Sequence, residues 1–271
     1  MNQRKSLKEL NLLDKFLFDE AMDDPENVKT MLDIILSQNT NLKHPPQTEK
    51  EQRTSMDNRQ IRLDVYAIDE DDVIYEVEAQ KENTHNLPKR SRLYQGIIDS
   101  KLLPPGVVDF NLLNEVLIVL IMPFDLFGYG LYRYTFQMKC EEVPELKLDD
   151  GATRIFLNTR GKHPELVSPE LIELLKYMER STDEVSRELK SKRIQEMHRR
   201  VCRIKASEKT EVKYMQSWEE KILIKQEGER IGLERINRLN QKLIEQGRFD
   251  DLTKATSDSN YQKKLLKEFK I

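Results

Sequence analysis

The stretch Ile61-Arg62-Leu63-Asp64-Val65-Tyr66-Ala67-Ile68, followed after Asp69-Glu70-Asp71-Asp72 by Val73-Ile74-Tyr75-Glu76-Val77-Glu78-Ala79-Gln80, decides how this chain reads. In the first run Ile61, Leu63, Val65 and Ala67 share one face and Arg62, Asp64, Tyr66 and Ile68 the other, the two-residue period of a strand. The second run sets Val73, Tyr75, Val77 and Ala79 against Ile74, Glu76, Glu78 and Gln80. The acids between them make a polar turn, so the pair reads as a hairpin. Cross-strand neighbours point to the same face. With a loop over residues 69–73, Ile68 pairs with Ile74 and Asp64 lies opposite Glu78, with Cβ atoms roughly 5 Å apart.

Like charges directly opposite are destabilising unless a cation sits between them. An oxygen site with two carboxylates suits Mg²⁺ and its remaining waters, with Mn²⁺ or Ca²⁺ as substitutes. Such a metal activates a water and polarises a phosphoryl oxygen, the two needs of phosphodiester hydrolysis. Gln80, on the same face, is placed to orient the attacking water and, as an amide, cannot be its general base. The bland alternative is a solvated hairpin face, where acids and amides are common.

Working outward, residues 7–22 carry Leu10, Leu13, Phe16, Leu17 and Met22 at helical spacing, and predict a first helix. Asp23-Asp24-Pro25 starts a second, with Val28, Met31, Leu32, Ile34 and Ile35 as its buried face. Residues 37–60 are almost free of apolar side chains and contain Pro45-Pro46, so they read as a mobile loop. Pro88 opens a helix to about residue 103, and the unbroken apolar run Val116–Met122 reads as a central strand covered on both faces. Residues 131–138 and 152–157 read as further strands. From Ser168 onward the pattern is helical and charged. Ser168-Pro169-Glu170 resembles a capped start, and residues 187–205 carry eight cations against Glu188 and Glu196. This basic stretch is either a solvated arm or a non-specific contact for nucleic-acid backbone. The apolar spacing from Trp218 to Ile271 suits helix packing, within the chain or in a homo-oligomer. The expected domains are residues 1–165, α/β, and 166–271, a helical, charged extension.

Composition narrows the function. The 271 residues are 38% hydrophobic and 34% charged with a net charge of -3, which excludes a polycation that binds nucleic acid through overall charge. Cys140 and Cys202 are far apart with few histidines nearby, which argues against a disulfide framework or a structural zinc site. Neither a signal-peptide core nor a run near the ~20 apolar residues of a membrane helix occurs, so a soluble, cytoplasmic protein is expected. His85 and His163 read as loop residues and Cys140 lacks a neighbouring base. No nucleophile motif or glycine-rich phosphate loop points to a kinase, NTPase or dinucleotide enzyme.

The hairpin residues Ile61-Arg62-Leu63-Asp64-Val65-Tyr66-Ala67 and Tyr75-Glu76-Val77-Glu78-Ala79-Gln80 resemble the core of the recombination-promoting nuclease and transposase family, within the PD-(D/E)XK nuclease superfamily. Asp14-Lys15-Phe16-Leu17-Phe18 and Asp24-Pro25-Glu26 resemble its opening segment, and Lys89-Arg90-Ser91-Arg92-Leu93-Tyr94 its arginine-rich helix. Phe124-Asp125-Leu126-Phe127-Gly128, Asp149-Asp150-Gly151 and Phe156-Leu157-Asn158 resemble its later turns, so the likeness spans residues 10–161. It implies an α/β fold with a restriction-endonuclease-like core, a mixed sheet flanked by helices. It also implies a metal held by Asp64, Glu78 and the main-chain carbonyl of Ala79, with catalysis shared by Asp64, Glu78 and Gln80. The superfamily often has Lys at Gln80, whereas Gln is usual in this family. Glu76 adds a third acid on the metal face, and Ala79 stands where a bulkier residue is expected.

Arg90 and Tyr94, four residues apart on one helix face, with Lys89 and Arg92 flanking, are candidates to hold a DNA phosphate. Asp14 is an additional candidate acid from the first helix. The expected protein is a metal-dependent DNA endonuclease that promotes recombination; strand transfer is not implied, because three separated acids of a ribonuclease-H-like core are missing. Two alternatives stand beside it: a catalytically degenerate DNA-binding or regulatory protein, and a helix-mediated oligomeric adaptor.

Overall fold

The structure is a computed structural model that describes residues 5–52 and 61–271. In chain order it runs α1 (Lys15–Met22), α2 (Pro25–Leu36), β1 (Gln47–Gln52), β2 (Ile61–Ile68), β3 (Ile74–Ala79), α3 (Leu87–Asp99), β4 (Val116–Met122), β5 (Arg133–Phe136) and β6 (Ala152–Asn158). The helices α4 (Pro169–Glu179), α5 (Asp183–Glu188), α6 (Lys192–Lys205), α7 (Glu208–Glu245), α8 (Phe249–Ser257) and α9 (Ser259–Glu268) follow. This is an α/β architecture: one mixed six-stranded sheet flanked by helices, then a helical C-terminal part.

The sheet order is β1-β2-β3-β4-β6-β5. β3, β4 and β6 are parallel, while β1 and β2 at one side and β5 at the other are antiparallel to their neighbours. The hairpin register is the one its alternation predicts: Ile68 pairs with Ile74, Tyr66 with Glu76 and Val65 with Val77. α3 supplies the crossover from β3 to β4, as a parallel pair requires. Its Leu87, Tyr94, Ile97 and Ile98 pack on Ile74, Ile118, Leu120 and Phe156. α1 lies against β1 and β2, while α2 packs on α4 and α6.

Three sequence expectations change. The first helix begins at Lys15, not residue 7, because Asn11 and Asp14 capture backbone donors: Asn11 N–H donates to Asp14 Oδ2 and Leu13 N–H to Asn11 Oδ1. Such side-chain bonds compete with helix formation. Within the predicted mobile loop, residues 47–52 form β1, whose polar sequence is that of an edge strand held by backbone pairing rather than by a core; residues 53–60 lie outside the described residues. The compact units divide between Thr210 and Glu211 rather than at residue 165. α4, α5 and α6 therefore belong to the sheet-bearing unit, and Arg193 of α6 pairs with Glu170 and Asp33 while Arg200 pairs with Asp24. Part of the basic stretch is thus a docking device. In the second unit, Leu239, Leu243, Ala255 and Leu265 form a separate small core.

Gly161, just beyond β6, is fixed by close approach: a Cβ there would strike the Tyr132 ring. Gly161→Ala is expected to lower stability by about 1–3 kcal/mol, read from the urea midpoint of the full chain.

Candidate active site

Asp64 falls one step beyond the last paired residues of the hairpin, in register with Glu78. Both are nearly buried, and β3 is buried throughout, so the solvated-face alternative does not describe this hairpin. A cleft of about 400 Å³ is lined by Asp14, Lys15, Arg62, Asp64, Glu78, Ala79, Gln80, Lys81 and Arg90, among others. Six of the sequence candidates, Asp14, Asp64, Glu78, Ala79, Gln80 and Arg90, are thereby brought together. Two are not. Arg92 is exposed on α3 away from the cleft lining, and Tyr94 is buried in the apolar cluster. The Arg90 guanidinium carbon sits 5.9 Å from the Tyr94 ring centroid, so Tyr94 supports Arg90 rather than lining the cleft.

Each of the two facing acids has its own cation. Lys15 at the start of α1 donates to Asp64 and is paired with Asp19, 3.2 Å away. Arg90 Nη2 donates to Glu78 Oε1 at 2.7 Å and also to Gln80 Oε1. Gln80 Nε2 in turn donates to the Glu82 carbonyl at 2.6 Å. Asp14 pairs with Lys81 at the rim. Glu76 is the outlier, fully buried, and among the described residues neither of its carboxylate oxygens has a hydrogen-bond partner. Glu78 Oε2 is orphaned in the same way.

The electrostatics follow from burial. Two cations, Lys15 and Arg90, stand among four carboxylates, Asp19, Asp64, Glu76 and Glu78. Burial pushes the Glu78 carboxyl up to about 7 against the pull of Arg90, and Asp19 up to about 8 against that of Lys15. Asp64 is raised by burial, with Lys15 opposing. Glu76 is pushed well above the carboxylate range by burial first, then by Glu78 and Asp64. Unpaired carboxylate oxygens in such a place are costly, and a hard, oxygen-seeking divalent cation is the species that fits them. Of these acids Asp64 and Glu78 line the cleft and are the ones that could hold such a cation.

Lys15 and Asp19 were missed as site residues. Their sequence signal was an acid within the apolar run of α1, four residues after a lysine, yet nothing local linked that pair to a strand some 45 residues on. Lys15→Met is expected to destabilise the fold by about 2 kcal/mol near neutral pH, because it strips the partner from a buried carboxylate while leaving solvent to screen part of the loss. Urea titration checks this.

Compared with family models, curated proteins and solved structures, the chain matches none. No helix among the described residues is long and apolar enough to cross a membrane.

Proposed function

We propose that this chain is a metal-dependent DNA endonuclease built on a restriction-endonuclease-like core, a nuclease of the recombination-promoting type. The observation that carries the reading is the buried excess of acid: Asp64 and Glu78 in register across a hairpin and lining an open cleft, with Glu78 Oε2 unpartnered and the unpartnered Glu76 carboxylate buried two residues before it on the same strand. A divalent cation held by Asp64, Glu78 and the Ala79 carbonyl would supply water activation and phosphoryl polarisation. Gln80, fixed between Arg90 and the Glu82 carbonyl, orients the attacking water. Arg90, released from Glu78, holds a non-bridging phosphate oxygen with its planar donors. Arg62 and Lys81 on the cleft wall meet phosphate by exchanging their present partners Glu49 and Asp14, and exposed Lys192, Arg199 and Arg203 of α6 offer further backbone contacts.

Purified protein incubated with supercoiled plasmid and Mg²⁺, Mn²⁺, Ca²⁺ or EDTA is the test, run beside a double Asp64→Ala, Glu78→Ala variant. Metal-dependent nicking or linearisation lost in the variant supports the proposal, while equal cleavage by the variant overturns it. A second reading, DNA binding on a nuclease core without turnover, is favoured by the Lys15–Asp64 and Arg90–Glu78 pairs, which already give each facing acid a cation. It predicts DNA retention with no metal-dependent cleavage.

A further inference from the structure

A second cluster lies in the sheet-bearing unit, on α5 and α6, among residues to which the nuclease reading gives no role. His198 and Cys202 are one turn apart on α6, and Asp183 opens α5 across from them. His198 Nε2 is 2.9 Å from Asp183 Oδ1 and 3.4 Å from Cys202 Sγ, and Cys202 Sγ is 3.7 Å from Asp183 Oδ1. The three donor atoms mark out one face of a tetrahedron. Around a zinc ion with bonds of about 2.0–2.3 Å, such donors stand about 3.3–3.7 Å apart, so the observed triangle needs adjustments of only a few tenths of an ångström.

We propose that Asp183, His198 and Cys202 form a binding site for a thiophilic divalent cation, Zn²⁺ being the chemical type. The donor set of one imidazole, one thiolate and one carboxylate selects zinc over the hard cation of the Asp64 cleft. The histidine is held from behind: the ring's other nitrogen, Nδ1, is 3.0 Å from the fully buried Tyr177 hydroxyl. This is the outer partner that fixes a metal-bound histidine. On binding, Cys202 loses its thiol proton to solvent. With Nε2 on the metal, the ring's Nδ1–H donates to the Tyr177 hydroxyl. The fourth position faces a cleft of about 350 Å³ lined also by Lys8, Thr182, Glu184 and Lys205, and water fills it. Lys205, a cation on the cleft wall, donates to the Ser181 carbonyl, 2.9 Å from its Nζ.

A thiol nucleophile is the competing use of a cysteine beside a histidine. Burial and the Asp183 carboxylate push the Cys202 thiol up, the opposite of what an activated nucleophile requires. A metal reverses that by deprotonating the thiol outright. The proposed ion staples α5 to α6 and does not depend on any activity at Asp64.

The test is a cobalt titration of chelator-stripped, full-length protein. Co²⁺ is expected to give a near-ultraviolet thiolate charge-transfer band and the visible bands of a tetrahedral site, saturating at one ion per chain. Zn²⁺ should bleach both bands, and excess Mg²⁺ should leave them. Cys202→Ser should abolish the charge-transfer band, Cys140→Ser should retain it, and Asp183→Asn, on an exposed side chain, should weaken binding at least tenfold without disturbing the fold. At about 100 times its Kd, Zn²⁺ should raise the wild-type Tm by roughly 5–10 °C and that of Cys202→Ser by far less. Absence of the thiolate band in wild type, or its survival in Cys202→Ser, overturns the site.

Discussion

Glu78→Ala is expected to reduce metal-dependent plasmid cleavage at least ~10³-fold while DNA binding stays within a few-fold of wild type. The size follows from what a metal centre contributes. Charge stabilisation there is worth several kcal/mol, and each ~1.4 kcal/mol is a factor of ten in rate. Binding survives because Glu78 is an acid and repels phosphate; removing it lowers the repulsion felt by Asp64 and Glu76 and leaves Arg90 its bond to Gln80. Arg90→Ala should behave differently, lowering both cleavage and affinity, since the proposed function sets its guanidinium against the phosphate. Gel assays of plasmid topology and fluorescence anisotropy at matched salt separate the two variants. Undiminished cleavage by Glu78→Ala would sink the assignment of the metal site.

Metal-free stability is expected to fall as pH rises from about 5 to about 8. Glu78, Asp19 and Glu76 all have native values above their ordinary ones. Between the unfolded and native values the folded protein binds more protons than the unfolded chain, so stability declines with pH by up to ~1.4 kcal/mol per unit for each group. The stabilisation is fully present below the unfolded values and is lost as pH passes about 7 for Glu78 and about 8 for Asp19. Carboxyls held low, such as hydrogen-bonded Asp125 and Glu170 beside Arg193, complete their opposite contribution below about pH 5, which leaves the upper window clean. Glu76→Met should flatten the decline and raise stability at pH 8 by about 1–4 kcal/mol, as expected when a buried charge gives way to an apolar side chain. Urea midpoints at pH 5, 6.5 and 8 with EDTA present provide the check. A midpoint that climbs across that range would mean that Lys15 and Arg90 already satisfy the acids.

What could be read from the sequence was local. Period-two alternation with an acidic turn gave the hairpin and its register, an unbroken apolar run gave β4, and Asp24 and Ser168 marked helix starts where their side chains do accept from Glu26 and Leu171 backbone. β1 stayed hidden because an edge strand of Gln, Thr, Glu and Lys has no apolar face to betray it. The burial of Glu76 was equally invisible, since an acid at every second strand position looks half-solvated until α3 covers that face. Lys15 and Asp19 reach the site through tertiary packing, and a histidine and a cysteine one turn apart on a basic helix acquire meaning only when Asp183 arrives from a different helix.

The mixed order of the sheet also sets a timetable for assembly. The antiparallel hairpin of β2 and β3 closes a short loop, and hairpins form in about 1–10 μs. The parallel neighbours β4 and β6 must instead be gathered across the α3 crossover and the long connection holding β5, and such non-local pairing is slow. Asp64 and Glu78 therefore meet early, in water that screens their repulsion. Glu76 is sealed from solvent only when β4 and α3 cover it, so the dehydration of its carboxylate accompanies the non-local pairing, and a proton on that carboxylate lowers its cost.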